Sequence, residues 1–182
     1  MFNSWLPFFQ LTIKNEEDAS FHIKTFIYRV KTSKGNYIIH VEEYINNFYA
    51  IKFYPVRFKR HPDKFNIIVK NGALQVVIGT CLRILLEFFL TNPDASFGFI
   101  ATPTIVEDFI EDKSNNQRYR IYKQVMQNFF GDQTFAHFAD IKTSAYLMVN
   151  KSCHSVTDLV REMQEKFSDM YPEIFDLQFI QV

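Results

Sequence analysis

Hydrophobic and polar positions change period along this chain, and the changes locate its elements. Residues 21–31 are rich in aromatic and β-branched side chains and read as a strand. Thr32-Ser33-Lys34-Gly35-Asn36 reads as a turn, residues 37–44 as a second strand, and Asn46-Asn47 as another turn. Over 49–54 the alternation is clean: Tyr49, Ile51 and Phe53 share one face, and Ala50, Lys52 and Tyr54 the other. These segments predict an antiparallel meander. A basic loop containing Pro62 follows at 57–64, then a further short strand at 65–70.

After Asn71-Gly72 the period lengthens. In residues 73–90 the non-apolar positions Gln75, Gly79, Arg83 and Glu87 recur every four residues and, apart from Thr80, the rest is apolar. That pattern predicts a helix sunk deeply against a sheet, with one narrow stripe left over. Asn92-Pro93 stops it. Ser-Phe-Gly-Phe-Ile-Ala at 96–101 is a short apolar strand, and its arrival straight after a buried helix predicts a parallel crossover. A polar stretch leads to a helix over 116–130. Tyr119, Tyr122, Met126 and Phe129 form its buried stripe, and Arg118, Arg120, Lys123 and Gln127 face water. A strand at 141–150, a helix at 155–167 opened by Ser155 and Asp158, and a last strand at 176–182 complete the chain. The order β-β-β-β-α-β-α-β-α-β predicts a mixed α+β domain, an N-terminal meander followed by βαβα units on one mixed sheet. No linker or repeat divides residues 1–182, so one domain is expected.

Composition narrows the class. With 182 residues, 47% of them hydrophobic, and only 5 Gly and 6 Pro, the chain can bury a substantial core. Its 21 Phe make that core aromatic, and aromatics also gather at pockets and dimer faces. Twenty basic and twenty acidic residues cancel, which removes any global pull toward nucleic acid or anionic lipid. Near-zero charge favours self-association, so a homodimer is the partner expected. Cys81 falls in an apolar run, Cys153 lies far from it, and no disulfide framework emerges. Residues 1–10 lack the pattern of a signal peptide, and a cytoplasmic location is expected. Residues 73–90 are long enough to raise a membrane span, but Gln75, Arg83 and Glu87 argue against one.

Chemical motifs are sparse. His22, His40, His61, His137 and His154 stand in no metal-ligand spacing, and there is no C-x-x-C, so no metal site is expected. No Walker loop, G-x-G-x-x-G or G-x-S-x-G occurs. Gly72, with Asn71, sits where a strand gives way to the long helix. A helix N-terminus attracts anions, although a plain turn is the simpler reading there.

The order of elements resembles the GNAT superfamily of acyl-CoA-dependent N-acyltransferases. Asn115, Ile121 and Tyr122 match the spacing of its N-x-x-x-x-x-[LI]-Y segment. The resemblance implies that Asn115 helps hold a strand-to-helix junction near the cofactor and that Tyr122 acts as general acid toward a departing thiolate. The superfamily's pyrophosphate loop, [QR]-x-x-G-x-[GA], has as its counterpart Lys70-Asn71-Gly72-Ala73-Leu74-Gln75, with a single glycine. A second resemblance, covering the middle third, is to small uncharacterised bacterial proteins. They share a motif like Phe97-Gly98-Phe99-Ile100, then Arg118-Tyr119-Arg120-Ile121-Tyr122-Lys123, then Ser144-Ala145-Tyr146-Leu147.

Two functional expectations follow. One is a non-enzymatic binding or self-associating module on a GNAT-like scaffold, without a cofactor. The other is an N-acyltransferase using acetyl-CoA or another acyl-CoA. There, amides of Asn71, Gly72, Ala73 and Leu74 would hold the pyrophosphate, Tyr122 would protonate the thiolate, and Glu42 or Glu43 would deprotonate the amine.

Overall fold

The computed structural model describes residues 4–17, 20–67, 72–106, 109–153, 155–172 and 177–182. The meander forms as the alternation predicts: β2 (His22–Thr32), β3 (Gly35–Tyr44) and β4 (Phe48–Pro55) pair antiparallel in sequence order. An unanticipated strand, β1 (Phe8–Asn15), adds to the outer edge of β2, with a bulge at Leu11. Helix α1 (Leu74–Thr91) then crosses to β5 (Ser96–Ile100), which lies parallel to β4. After a two-residue ribbon, β6 (Ile105–Val106) with β7 (Phe109–Ile110), comes α2 (Gln117–Phe130). The hairpin β8 (Phe135–Asp140) and β9 (Ala145–Asn150) follows, then α3 (Val156–Met170) and the short β10 (Ile180–Gln181). Among the described residues the main sheet has the order β1-β2-β3-β4-β5-β9-β8-β10, and only β4 with β5 is parallel.

Period-two alternation sorts the core onto the two faces. Tyr37, Ile39, Val41 and Tyr49 point to α1 and α2, where Val77, Leu85 and Phe97 complete the larger cluster. Tyr44, Phe48, Leu147 and Val149 point the other way, against Leu159, Met163 and Phe167 of α3. Helix α1 is apolar and long enough to cross a bilayer, but here its Val77, Ile78, Cys81, Leu82, Ile84 and Leu85 are packed down in the core. Its outer side is partly covered as well. The Leu6 amide donates to Thr80 Oγ1 at 3.0 Å, and the Arg83 guanidinium lies over the Trp5 ring, so residues 5 and 6 run along the outer side of the helix.

Several expectations need correction. Phe65 and Asn66 lie in a turn instead of a strand, and residues 68–70 of that expected strand fall outside the described ones. The expected strand at 141–150 begins only at Ala145, because residues 141–144 form the turn of the β8–β9 hairpin, with Ser144 at φ +55°. The expected last segment begins at residue 176, outside the described residues; of its described residues 177–182, only Ile180–Gln181 is strand. On α2, Phe129 is exposed and Arg118 is buried, the reverse of the amphipathic reading.

Candidate functional site

The parallel pair β4–β5 is held over three residue pairs only, Phe48–Ser96, Tyr49–Phe97 and Ala50–Gly98. Beyond Ala50, β4 continues along β3 to Pro55, while β5 continues along β9 to Ile100. Each strand keeps its other neighbour, and the two therefore part. A cavity of about 480 Å³ fills the gap. Its walls come from both faces of the sheet: Phe53, Phe99 and Tyr122 on the α1/α2 side, Glu42, Tyr44 and Phe167 on the α3 side. No backbone hydrogen bond among the described residues bridges the parted segments, so main-chain N–H and C=O groups line the opening.

The floor of the gap is Gly98. A side chain there would meet Phe48 Cζ at 2.6 Å, Leu147 Cδ2 at 2.9 Å and the Tyr146 carbonyl oxygen at 2.9 Å. Glycine is needed because Phe48 lies across the strand at this point.

Helix α2 is anchored beside the gap by Asn116. This buried residue caps the helix, its side chain accepting from the Tyr119 amide at 2.9 Å and donating to the Ala101 carbonyl at 2.6 Å. Its own amide donates to Ser144 Oγ at 3.1 Å, and Ser144 in turn donates to the Lys113 carbonyl at 2.6 Å. End of β5, start of α2 and hairpin turn are thus tied together. Asn115, singled out by the resemblance, is exposed and contributes its backbone: its amide donates to the Ile141 carbonyl and its carbonyl accepts from Arg120. Sequence reasoning missed Asn116, although Asn before an apolar-periodic run is a cap signal.

The anchored helix brings Tyr122 to the gap. Its ring packs edge-on to Phe99, 5.4 Å between centroids, and its hydroxyl makes no hydrogen bond among the described residues. Burial raises the Tyr122 pKa well above the usual phenol value, against a smaller opposing pull from Arg118, so the hydroxyl stays protonated at neutral pH. One turn earlier, Arg118 also lines the cavity. It donates to the carbonyls of Phe65 at 2.5 Å and Asn66 at 2.6 Å and to Thr102 Oγ1 at 3.1 Å.

Across the sheet, Glu42 lines the cavity and Glu43 does not. Adjacent strand residues face opposite ways. Glu42 takes a 2.5 Å ion pair from Lys52 and a 3.0 Å hydrogen bond from the Tyr44 hydroxyl. Glu43 pairs with Lys24 at 3.1 Å on the other face.

Of the proposed pyrophosphate loop, Asn71 lies outside the described residues. Gly72 has φ +76°, a left-handed value suited to glycine; Ala73 is buried at the N-cap of α1, and Leu74 reaches the cavity. The structure therefore brings Tyr122, Leu74 and Glu42 to one cavity and leaves Glu43 and the Asn115 side chain apart from it.

The chain matches no family model, no curated protein and no solved structure.

Of the other sequence candidates, His154 lies outside the described residues. His137 is buried between the Tyr146 hydroxyl, at 2.5 Å, and the Gly131 carbonyl, at 2.7 Å. Among the described residues no group of three or more His, Cys, Asp and Glu gathers as metal ligands. Cys81 is a free, buried thiol whose pKa is raised by burial, and Cys153 is free and half-buried.

Proposed function

We propose that this chain is a ligand-binding domain on a GNAT-like scaffold, and that acyl-CoA thioesters are its ligand class. The observation that carries the reading is the gap between β4 and β5. Two strand edges stand open across a cavity within the size range of small-molecule sites. An extended ligand bearing amides satisfies such edges as an added strand does. The acyl-pantetheine arm of an acyl-CoA has that form, with two amides and a slender apolar segment. The crossover from β4 through α1 to a parallel β5, followed by α2 and a hairpin, supports the GNAT-like assignment. Two unpaired cysteines fit the reducing cytoplasm.

A second reading, N-acyl transfer, is favoured by one observation: the Tyr122 hydroxyl is protonated, unpartnered among the described residues, and at the cavity wall. The amine nitrogen would bond to the thioester carbonyl carbon as the C–S bond breaks. Tyr122 would give its proton to the thiolate, and Glu42 would take one from the amine. The commitment of Glu42 to Lys52 and Tyr44 weighs against this second step, and binding without transfer is the leading reading.

Thermal unfolding with increasing acetyl-CoA tests both. A ligand that prefers the folded state raises Tm, with about 2.7 kcal/mol of stabilisation at a hundred times Kd. No rise with acetyl-CoA, or with longer acyl-CoAs, would refute the ligand class. A rise without acyl transfer to a panel of amines would leave binding and eliminate the enzyme.

A further inference from the structure

We infer that the face of the meander turned away from α1, together with the segment that follows β4, binds single-stranded nucleic acid. A net charge of zero conceals a polarity in this chain. Residues 1–70 hold eleven Lys and Arg against six Asp and Glu, while residues 71–182 hold nine against fourteen. Strand register gathers much of the basic excess on one side. Phe9, Arg29, Ile38 and Tyr54 form one row across β1–β4, and Thr12, Ile27, His40 and Lys52 form the next. Residues directly opposite share a face, so Lys14, two on from Thr12, and Lys31, two on from Arg29, belong to it as well. The face is about 14 Å across, three strand spacings of about 4.8 Å.

Its apolar centre, Ile27, Ile38 and Tyr54, is covered by Val56 and Phe65 from the segment after β4. That segment carries further cations. Arg57, Lys59 and Arg60 are exposed. Lys64 Nζ lies 4.9 Å from the centre of the Tyr54 ring and 5.3 Å from that of Phe65, and Lys52 Nζ lies 4.8 Å from the Phe65 ring too. Among the described residues no ion pair reaches Lys14, Lys31, Arg57, Lys59, Arg60 or Lys64. The carboxylates nearby are few. Glu42 is neutralised by Lys52 at 2.5 Å, Glu16 accepts from Thr25 Oγ1 at 3.1 Å, and Asp63 stands 4.0 Å from His61 Nδ1. His40, in the middle of the face, registers the resulting field. Burial lowers its pKa first, and Lys52, Lys64 and Lys14, from three separate segments, all push the same way against Glu42. Like charges gathered without counter-ions repel one another, and a polyanion relieves them. Phe9 selects the kind of polyanion. It shares the row of Arg29 and is 60% exposed. Unpaired bases stack on such a ring while cations beside it hold the phosphates; a duplex keeps its bases stacked inside and leaves the ring unused.

The inference is independent of the β4–β5 cavity and of its ligand. Fluorescence anisotropy of labelled oligo-dT and oligo-rU with the full chain tests it. At least one should bind at low salt, and the logarithm of affinity should fall with that of salt by about 0.7 per phosphate contacted. Lys14→Gln, Lys59→Gln and Arg60→Gln change exposed side chains. Each should weaken binding several-fold and reduce the salt slope by about 0.7. Lys166→Gln, exposed on α3, should do neither. Phe9→Ala should weaken binding about tenfold with the slope unchanged, the loss of one stacked base. A blunt-ended duplex of the same length should bind more weakly than the single strand. No binding of either oligonucleotide at low salt would overturn the inference. So would meander variants that match Lys166→Gln, an unaffected Phe9→Ala, or a duplex bound as tightly as the single strand. Co-sedimentation with phosphatidylserine vesicles, without binding to either oligonucleotide, would overturn it in favour of a membrane surface.

Discussion

The Cβ that Gly98 lacks would stand 2.6 Å from Cζ of Phe48. This one contact sets the floor of the cavity, since β4 and β5 separate at the Ala50–Gly98 pair. Gly98→Ala should therefore destabilise the fold by about 1–3 kcal/mol, the usual cost of overpacking a core. Trimming Phe48 should recover only part of that loss. The Tyr146 carbonyl, at 2.9 Å, belongs to the central strand β9 and cannot move aside. Urea denaturation of the single and double variants measures both effects, and a loss below about half a kcal/mol for Gly98→Ala would mean the floor is loose.

Asn116 and Asn115 should behave very differently although they are neighbours. Asn116→Ala removes a helix cap and leaves the buried Ala101 carbonyl without its donor, so a loss of about 2–4 kcal/mol is expected. Asn115→Gly preserves the backbone bonds and suits the local φ of +49°, so stability should stay within about half a kcal/mol. Equal losses in chemical denaturation would mean that the Asn115 side chain shares the anchoring.

The contrast shows where sequence reading reaches and where it stops. The faces of β4 were legible because Tyr49, Ile51 and Phe53 alternate with Ala50, Lys52 and Tyr54, and a half-buried strand has no other way to place them. The depth of α1 was legible for the same kind of reason. The edge strand β1 also alternates, but Phe9, Leu11 and Ile13 are exposed in the fold, so its pattern follows no core face. The β8–β9 hairpin was blurred because its turn, Ile-Lys-Thr-Ser, contains no glycine, proline or asparagine to mark it. Arg118 could not be found from helical periodicity at all. It is buried by carbonyls of Phe65 and Asn66, more than fifty residues away, and only tertiary structure brings them together.

His40 should make stability depend on pH. Burial first, and then Lys52 opposite it on β4, lower its pKa to about 4. The unfolded chain binds this proton near pH 6.5 and the folded chain does not, so stability is complete above that value. It is lost progressively as pH falls from about 6.5 to 4 and changes no further, through this group, below that. The whole effect is on the order of 3 kcal/mol at most. In His40→Phe the difference in unfolding free energy between pH 7 and pH 4.5 should shrink; an unchanged difference would show that His40 is protonated in the fold.

Tyr122→Phe separates packing from chemistry. The ring contacts with Phe99 and Phe53 survive, and the lost hydroxyl had no hydrogen bond among the described residues. Stability should stay within about 0.5 kcal/mol by thermal or urea unfolding. Any acyl-CoA-dependent activity in the parent should fall about 10²–10⁴-fold if the hydroxyl is a general acid. An activity that survives the substitution would leave Tyr122 as wall alone.

A strand that has lost one neighbour and kept the other is protected on alternate residues only. Along β4 beyond Ala50, amides turned toward β3 stay locked in the ladder, while those turned toward the gap have water or a ligand for company. Hydrogen–deuterium exchange should therefore show a slow–fast alternation over Ile51, Lys52, Phe53 and Tyr54 in the free protein. Whatever occupies the gap as an added strand will silence the fast members and leave the slow ones unchanged, recording the ligand's orientation in the chain's own isotope pattern.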